Sequence, residues 1–254
     1  APYQVSHIEV SEAGRTRLAE LGITCVDPDA ALPQADVVIL AIPDNAIEKV
    51  TARLAPQFKQ GAVLSALDAA APFAGHLPAR EDLTIFVAHP CHPSVFNDET
   101  DLEAKRDYFG GVKAKQAIVC ALLRGDEANY DLAEDVAKRM YAPVLRSHRA
   151  TVDQMAILEP VLSETVCATC LTIIREATDE AVRRGVAEEA ARDFILGHLN
   201  VELAILFDQM PGVRMSDAAN KAVDRAKSEI FQPDWKKVFE RDAIAENIRM
   251  ITTA

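Results

Sequence analysis

The chain is short of several things, and each shortage excludes something. Basic residues are outnumbered, 27 lysines and arginines against 39 acids, for a formal charge of -12. A nucleic-acid or anionic-membrane partner needs a basic face, so neither fits this balance, whereas a small anionic substrate needs only a few local positive groups. The five cysteines, Cys25, Cys91, Cys120, Cys167 and Cys170, form an odd set without the spacing of a disulfide framework. They read as reduced thiols, which points to the cytoplasm. The longest apolar runs, residues 37–42 and 117–123, are far below the length of a membrane span. The ten glycines are scattered, and nowhere do they form Gly-x-Gly-x-x-Gly.

The missing glycine pattern carries the most weight, because the remaining residues look like a dinucleotide fold. Such a fold opens on a strand, a glycine-rich turn and a helix whose N-terminus receives a pyrophosphate. The expectation is that this first β-α unit, roughly 25 residues on the usual spacing, precedes residue 1. That strand is central in the sheet, and the chain otherwise reads as strand two onward.

About half of the 254 residues are hydrophobic, enough for two modest domains. In residues 1–150, β-rich runs (7–10, 23–26, 37–42, 62–67, 84–88, 117–120 and 143–145) alternate with amphipathic stretches such as 15–21, 46–54 and 130–140. This alternation predicts an α/β, Rossmann-type, doubly wound and mostly parallel sheet. The unbroken apolar run 37–42 suits a strand buried on both faces. From residue 151 to 254 strand patterns vanish, and helical stretches follow at 153–184, 187–209, 216–230 and 235–250. They are separated at Gly185, at Pro211-Gly212 and at Pro233. The second domain is therefore read as all-helical.

Candidate nucleotide contacts sit where strands end. Glu9 closes the run His7-Ile8-Glu9-Val10, where such folds place a carboxylate for the adenosine ribose hydroxyls. An acid there repels a 2′-phosphate, and the following Val10-Ser11-Glu12 offers no arginine to hold one, so NAD is favoured over NADP. The plainer alternative is that Glu9 merely precedes a helix N-terminus. Ala41, Ile42, Pro43 and Asp44 follow the strongest strand, and Asp68 holds the corresponding end of the next. Ligands in open α/β sheets bind at these carboxyl ends.

Two stretches carry reactive groups. In Ala88-His89-Pro90-Cys91-His92-Pro93, two histidines sit at the end of a buried strand between prolines that stiffen the turn. Imidazole there can act as base, hydrogen-bond donor or metal ligand. In Leu158-Glu159-Pro160-Val161-Leu162-Ser163-Glu164, the residues Leu162, Val166, Ile173 and Ala177 mark a buried helical stripe. Glu164 falls beside that stripe and needs a partner, while Glu159 reads as a solvated or capping carboxylate. Cys167 and Cys170 read as small core residues. His198, among Ile195, Leu196, Leu199 and Val201, is either a satisfied core residue or the partner of Glu164.

On the motifs Val-Ala-His-Pro-Cys-His-Pro and Leu-Ser-Glu-Thr-Val-Cys-Ala-Thr-Cys, nearly the whole chain resembles the D-apionate oxidoisomerase family. More broadly, it is similar to the ketol-acid reductoisomerases and the 6-phosphogluconate/β-hydroxyacid dehydrogenases. His89-Pro90 also resembles the His-Pro turn of prephenate dehydrogenases. The resemblance implies NAD-dependent oxidation of a branched sugar acid, D-apionate, with metal-assisted ketol isomerisation to 3-oxo-isoapionate. The alternative is a plain NAD-dependent dehydrogenase of a branched or β-hydroxy acid. It further implies catalytic roles for His89, His92 and His198 and a homodimer. There are departures. No lysine lies between Val152 and Gly185, where the β-hydroxyacid dehydrogenases keep their base. Pro160 stands where the reductoisomerases have the first of two magnesium-binding acids, and Phe194 and His198 stand where they have two more. A single divalent ion, zinc for example, on His92 and Glu164 is expected instead.

Overall fold

Alternating apolar segments pair into one sheet. A computed structural model describes residues 3–253. The strands are β1 (Val37–Leu40), β2 (Val63–Ala66), β3 (Thr84–Pro90), β4 (Gln116–Arg124) and β5 (Val144–Ala150), and they lie in the order β1-β2-β3-β4-β5. Pairings β1–β2, β2–β3 and β4–β5 are parallel, and β3–β4 is antiparallel. The helices used below are α1 (Glu12–Glu20), α2 (Asp44–Leu54), α3 (Glu127–Met140), α4 (Val152–Arg183), α5 (Glu188–Leu206), α6 (Asp217–Ile230) and α7 (Arg241–Thr252).

The period of two along the central strands divides their side chains between two cores. Leu64 and Ile85 pack on one side with Ile47 of α2, Phe58 and Leu83. Val63, Phe86 and Ala88 pack on the other with Ile118, Cys120 and the α3 residues Tyr130, Ala133 and Ala137. Phe86 meets Tyr130 edge-on at 5.4 Å. Both faces of the sheet are therefore covered, as expected for a doubly wound arrangement. Side-chain caps fix where helices start: Ser11 for α1, Asp126 for α3, and a Thr151–Gln154 capping box for α4.

Three local expectations need correcting. Residues 7–10 and 23–26 form no strand, only a single bridge between His7 and Cys25. Among the described residues β1 pairs with β2 alone and leaves Ile39 exposed, so the burial on both faces expected there is seen instead along β2. The stripe Leu162–Val166–Ile173–Ala177 is not buried within the chain. Leu162 and Ala177 are exposed, with no element among the described residues covering them.

The chain divides into two compact units. One runs to Glu159 and takes back the C-terminal stretch from Ala245, and the other spans Pro160–Ile244. The division thus falls nine residues beyond 150, inside α4. Although no sequence run suggests it, α4 is long and apolar enough to cross a membrane by length and composition. Its apolar residues are interrupted by Glu159 and Glu164, so only the continuous helix reveals that length.

Candidate active site

In β2–β3, Ser65 pairs with Phe86 and Ala66 with Val87. Continuing this parallel register two residues brings Asp68 opposite His89, each at the carboxyl end of its strand. Glu159 reaches the same place from α4. Over Ile157–Ala168 that helix widens to π spacing, with Pro160 inside it. A proline ring collides with the carbonyl four residues back in a regular α-helix, and a wider turn relieves the collision. The Thr165 hydroxyl donates to the Pro160 carbonyl at 2.6 Å.

These three residues form a tight cluster. His89 Nδ1 lies 2.8 Å from the Leu67 carbonyl oxygen, and His89 Nε2 lies 3.1 Å from Glu159 Oε2. Asp68 Oδ2 is 3.8 Å from His89 Nδ1, and Asp68 Oδ1 accepts the Ala70 N–H at 2.6 Å. A carbonyl oxygen only accepts, so Nδ1 carries a hydrogen and Nε2 is the free position of the neutral ring. The side chains of Asp68, His89 and Glu159 are 22, 24 and 28% exposed, enough to meet a ligand yet well out of bulk water.

Electrostatics follow from that half-burial. Burial pushes the Asp68 carboxyl above the usual carboxylate range, with the Glu159 charge adding to it against the Ala70 N–H and His89. Asp44 is raised as well, by burial and then by Asp68. Glu159 is held below its ordinary value by the hydrogen bond from His89, against its own burial. For His89, burial disfavours the charged ring, but the bond to Glu159, its charge, the Leu67 carbonyl and Asp68 together outweigh that and raise the pKa.

Beside this cluster lies a cavity of about 330 Å3 lined by Leu40, Ala41, Ile42, Pro43, Asp44, Ile47, Leu67 and Asp68. Five expected cofactor positions, Ala41, Ile42, Pro43, Asp44 and Asp68, are thus gathered in one cleft at the carboxyl ends of β1 and β2. An apolar floor with two carboxylates suits a base or ribose edge bearing hydroxyls. Glu9 is not among the lining residues. Its Oε1 accepts the Ser11 N–H at 2.7 Å, and its carboxylate lies over Gly14 of α1, where a Cβ would come within 2.4 Å of it.

The other expected residues are placed as follows. His92 has a left-handed backbone (φ 60°), its Nδ1 is 2.8 Å from the Phe109 carbonyl, and its ring stands edge-on to His89 at 6.2 Å. It is a neighbour of the cluster without being one of its converging donors. Glu164 and His198 belong to the unit Pro160–Ile244. His198 is exposed rather than core, with Nδ1 2.8 Å from the Phe194 carbonyl and its ring stacked on Phe194 at 4.0 Å. Glu159, read from the sequence as solvated or capping, is instead the partner of His89. The shared strand-end position of Asp68 and His89 was visible in the sequence, whereas nothing near Glu159 pointed to β3.

Along most of its length the chain is similar to known proteins. Residues 97–252 match the family model for the phosphogluconate dehydrogenase (decarboxylating) C-terminal domain. The chain is 61% identical over 251 residues to a D-apionate oxidoisomerase from Cupriavidus necator, covering 98% of this chain and 91% of that protein. It is 57% identical to one from Rhizobium rhizogenes with the same coverage. A crystal structure of a semialdehyde dehydrogenase NAD-binding protein from Cupriavidus necator, in complex with calcium and NAD, superposes with a TM-score of 0.97. It is 61% identical, covering 99% of this chain and 91% of that one.

Proposed function

Because this chain belongs to the D-apionate oxidoisomerase family, we propose that it oxidises D-apionate with NAD and rearranges the product to 3-oxo-isoapionate. The observation that carries the proposal is the Asp68–His89–Glu159 cluster at the mouth of the strand-end cavity. NAD, when bound, supplies a hydride acceptor.

D-Apionate has a secondary alcohol next to its carboxylate and, beyond that, a tertiary alcohol bearing two hydroxymethyl groups. Oxidation removes a hydride from the secondary carbon and a proton from its hydroxyl. The proton leaves to His89 Nε2, since Nδ1–H is anchored on the Leu67 carbonyl, and Glu159 at 3.1 Å steadies the imidazolium that results. The 2-keto-3-hydroxy acid then undergoes an α-ketol shift. The tertiary hydroxyl loses its proton, one hydroxymethyl group moves with its bonding pair to the keto carbon, and the former ketone oxygen takes up a proton from the same dyad. A divalent ion, when bound, would supply the positive charge that offsets negative charge developing on the substrate oxygens.

Further assignments follow. His92, edge-on to His89, is proposed to position the substrate. The base is His89 rather than His198, whose Nδ1 and ring face are committed to Phe194. Glu9 is proposed to disfavour a 2′-phosphate and so select NAD. The five free cysteines support a cytoplasmic setting. A homodimer is supported by the apolar residues left exposed on α4, α5 and α6, among them Leu171, Phe194, Leu206, Phe207 and Ile230. The test is turnover of branched and linear aldonates with NAD: reduction is expected with D-apionate above all others, and reduction with none would defeat the proposal.

A further inference from the structure

The strand register carries the candidate site sideways across the sheet. His89 lies opposite Val119 of β4, and Val119 lies opposite His148 of β5. One row nearer the open end, the Cys91 N–H donates to the Ala117 carbonyl at 2.9 Å, and Ala117 lies opposite Arg146. The row Val87–Ala121–Ala150 packs into a single core with Val119, Val152 and Met155. Side chains alternate along a strand, so His89, Cys91, Arg146 and His148, two or four residues along from that row, share its face. The packed row is covered, but Ala117 and Val119 are only half-buried, and Arg146 and His148 are exposed. A small apolar floor is thus left open beside His89, with Arg146 on its far side.

Arg146 lacks the ties that hold its neighbour. On the opposite face of β5, Arg149 pairs with Glu127 at 2.6 Å and lies over the Tyr130 ring at 4.2 Å. Among the described residues no carboxylate, hydroxyl or carbonyl accepts a hydrogen bond from Arg146. Its charge nevertheless reaches the turn that carries the two histidines: burial pushes the Cys91 thiol up, and Arg146 opposes that shift. On the other side of His89 stand two acids, Asp68 and Glu159. They repel an anionic substrate, so its carboxylate belongs on the cationic side. A guanidinium offers a planar fork of donors that matches a carboxylate. Neighbouring strands lie about 4.8 Å apart, which sets the Arg146 backbone roughly 10 Å from that of Cys91. An extended arginine side chain and a small acid together bridge that gap.

We propose that Arg146 binds the carboxylate of a 2-hydroxy acid whose 2-hydroxyl meets His89 Nε2. The cofactor cavity lies on the Asp68 side of His89, so carboxylate and hydride acceptor are kept at opposite ends of the site. Arg146 then selects acids over uncharged sugars of the same skeleton. The identity of the acid rests on the oxidoisomerase reading; the shared face and the uncommitted guanidinium do not.

The test uses 2-hydroxyisobutyrate, a 2-hydroxy acid with no hydrogen on its carbinol carbon and therefore no hydride to give. Its dissociation constant, measured by calorimetry on the full chain with NAD, should rise about 10–100-fold in Arg146→Gln, as expected for lost hydrogen bonds to a charged group. Arg146→Lys, which keeps the charge without the fork, should recover part of that loss. Arg149→Gln, altered on the opposite face, should bind the acid as wild type does. NAD affinity in Arg146→Gln should stay at the wild-type value, which separates a lost contact from a lost fold. No binding by wild type, an unchanged constant in Arg146→Gln, or an equal rise in Arg149→Gln overturns the proposal. Turnover of D-apionate keeps the two readings apart. Loss of acid binding in Arg146→Gln, with no NAD reduction from D-apionate by wild type, would support Arg146 and count against the oxidoisomerase reading. Rearranged product formed by Arg146→Gln with undiminished kcat/KM would overturn the role of Arg146 and leave that reading intact.

Discussion

The two units of this chain bury their apolar residues to very different extents. In the first, β2 is covered along its whole length, and Phe86, Leu64, Ile85 and Ile118 are sealed on both sides of the sheet. In the second, residues 160–244, the buried positions are Pro160, Val161, Ala191 and Ile244, while Phe194 and Phe207 are 67 and 63% exposed. A helix of the first unit is amphipathic and satisfied by its own sheet. The helices of the second carry apolar residues that nothing among the described residues covers. Among the described residues, then, the sheet unit covers most of its own apolar side chains, whereas the helical unit leaves many uncovered, for which a second copy is the proposed cover.

The largest effect should come from challenging that second half of the comparison. Phe194→Asp combined with Phe207→Asp removes two aromatic side chains from the surface to be covered, each contributing about 1.5–3 kcal/mol when fully buried. Light scattering should then show monomer where wild type is dimeric, with a loss of helical circular dichroism. An unchanged oligomer would mean that α5 faces solvent after all.

A smaller effect is expected within the sheet unit, from the dyad. The sign follows from the two pKa shifts. Glu159 is lowered on folding, so its stabilisation is present above its ordinary pKa of 4.5 and disappears as pH falls through the folded value. His89 is raised, so its stabilisation is present below 6.5 and disappears as pH rises through the folded value. In ion-free protein the pair should stabilise most between about pH 4.5 and 6.5, by something on the order of 1 kcal/mol. Melting temperatures across pH in EDTA should show that bulge for wild type and lose it in Glu159→Gln. A parallel pair of curves would leave the dyad without energetic consequence.

The smallest effect is expected at Gly14. Alanine there gains helix propensity of up to about 1 kcal/mol but meets the mobile end of the Glu9 side chain. Stability should therefore change little while Glu9 swings aside, and the preference for NAD over NADP should narrow. An unaltered preference would assign Glu9 to its turn with Ser11 alone.

These contrasts also explain what could be read from the sequence. The cavity residues Ala41 to Asp44 and Asp68 were legible because parallel strands deliver their carboxyl ends to one side, a rule that needs only strand positions. Glu159 was not, since its partner His89 lies seventy residues earlier and its own neighbourhood, before Pro160, resembles any helix start. The stripe through Leu162 and Ile173 was recognised as apolar, but periodicity reports only that one side of a helix avoids water. It does not say whether the same chain provides the cover.

The central claim is that oxidation and carbon migration occur at one site, and the carbon skeleton records both. D-Apionate labelled with 13C at its secondary alcohol carbon, incubated with the protein and NAD, is the direct test. The account predicts one NADH per product and a labelled carbon that has lost its hydrogen and become a quaternary carbinol, bonded to the carboxylate and to a migrated hydroxymethyl group. A labelled carbon that accumulates as a ketone, with both hydroxymethyl groups still on its neighbour, would contradict it.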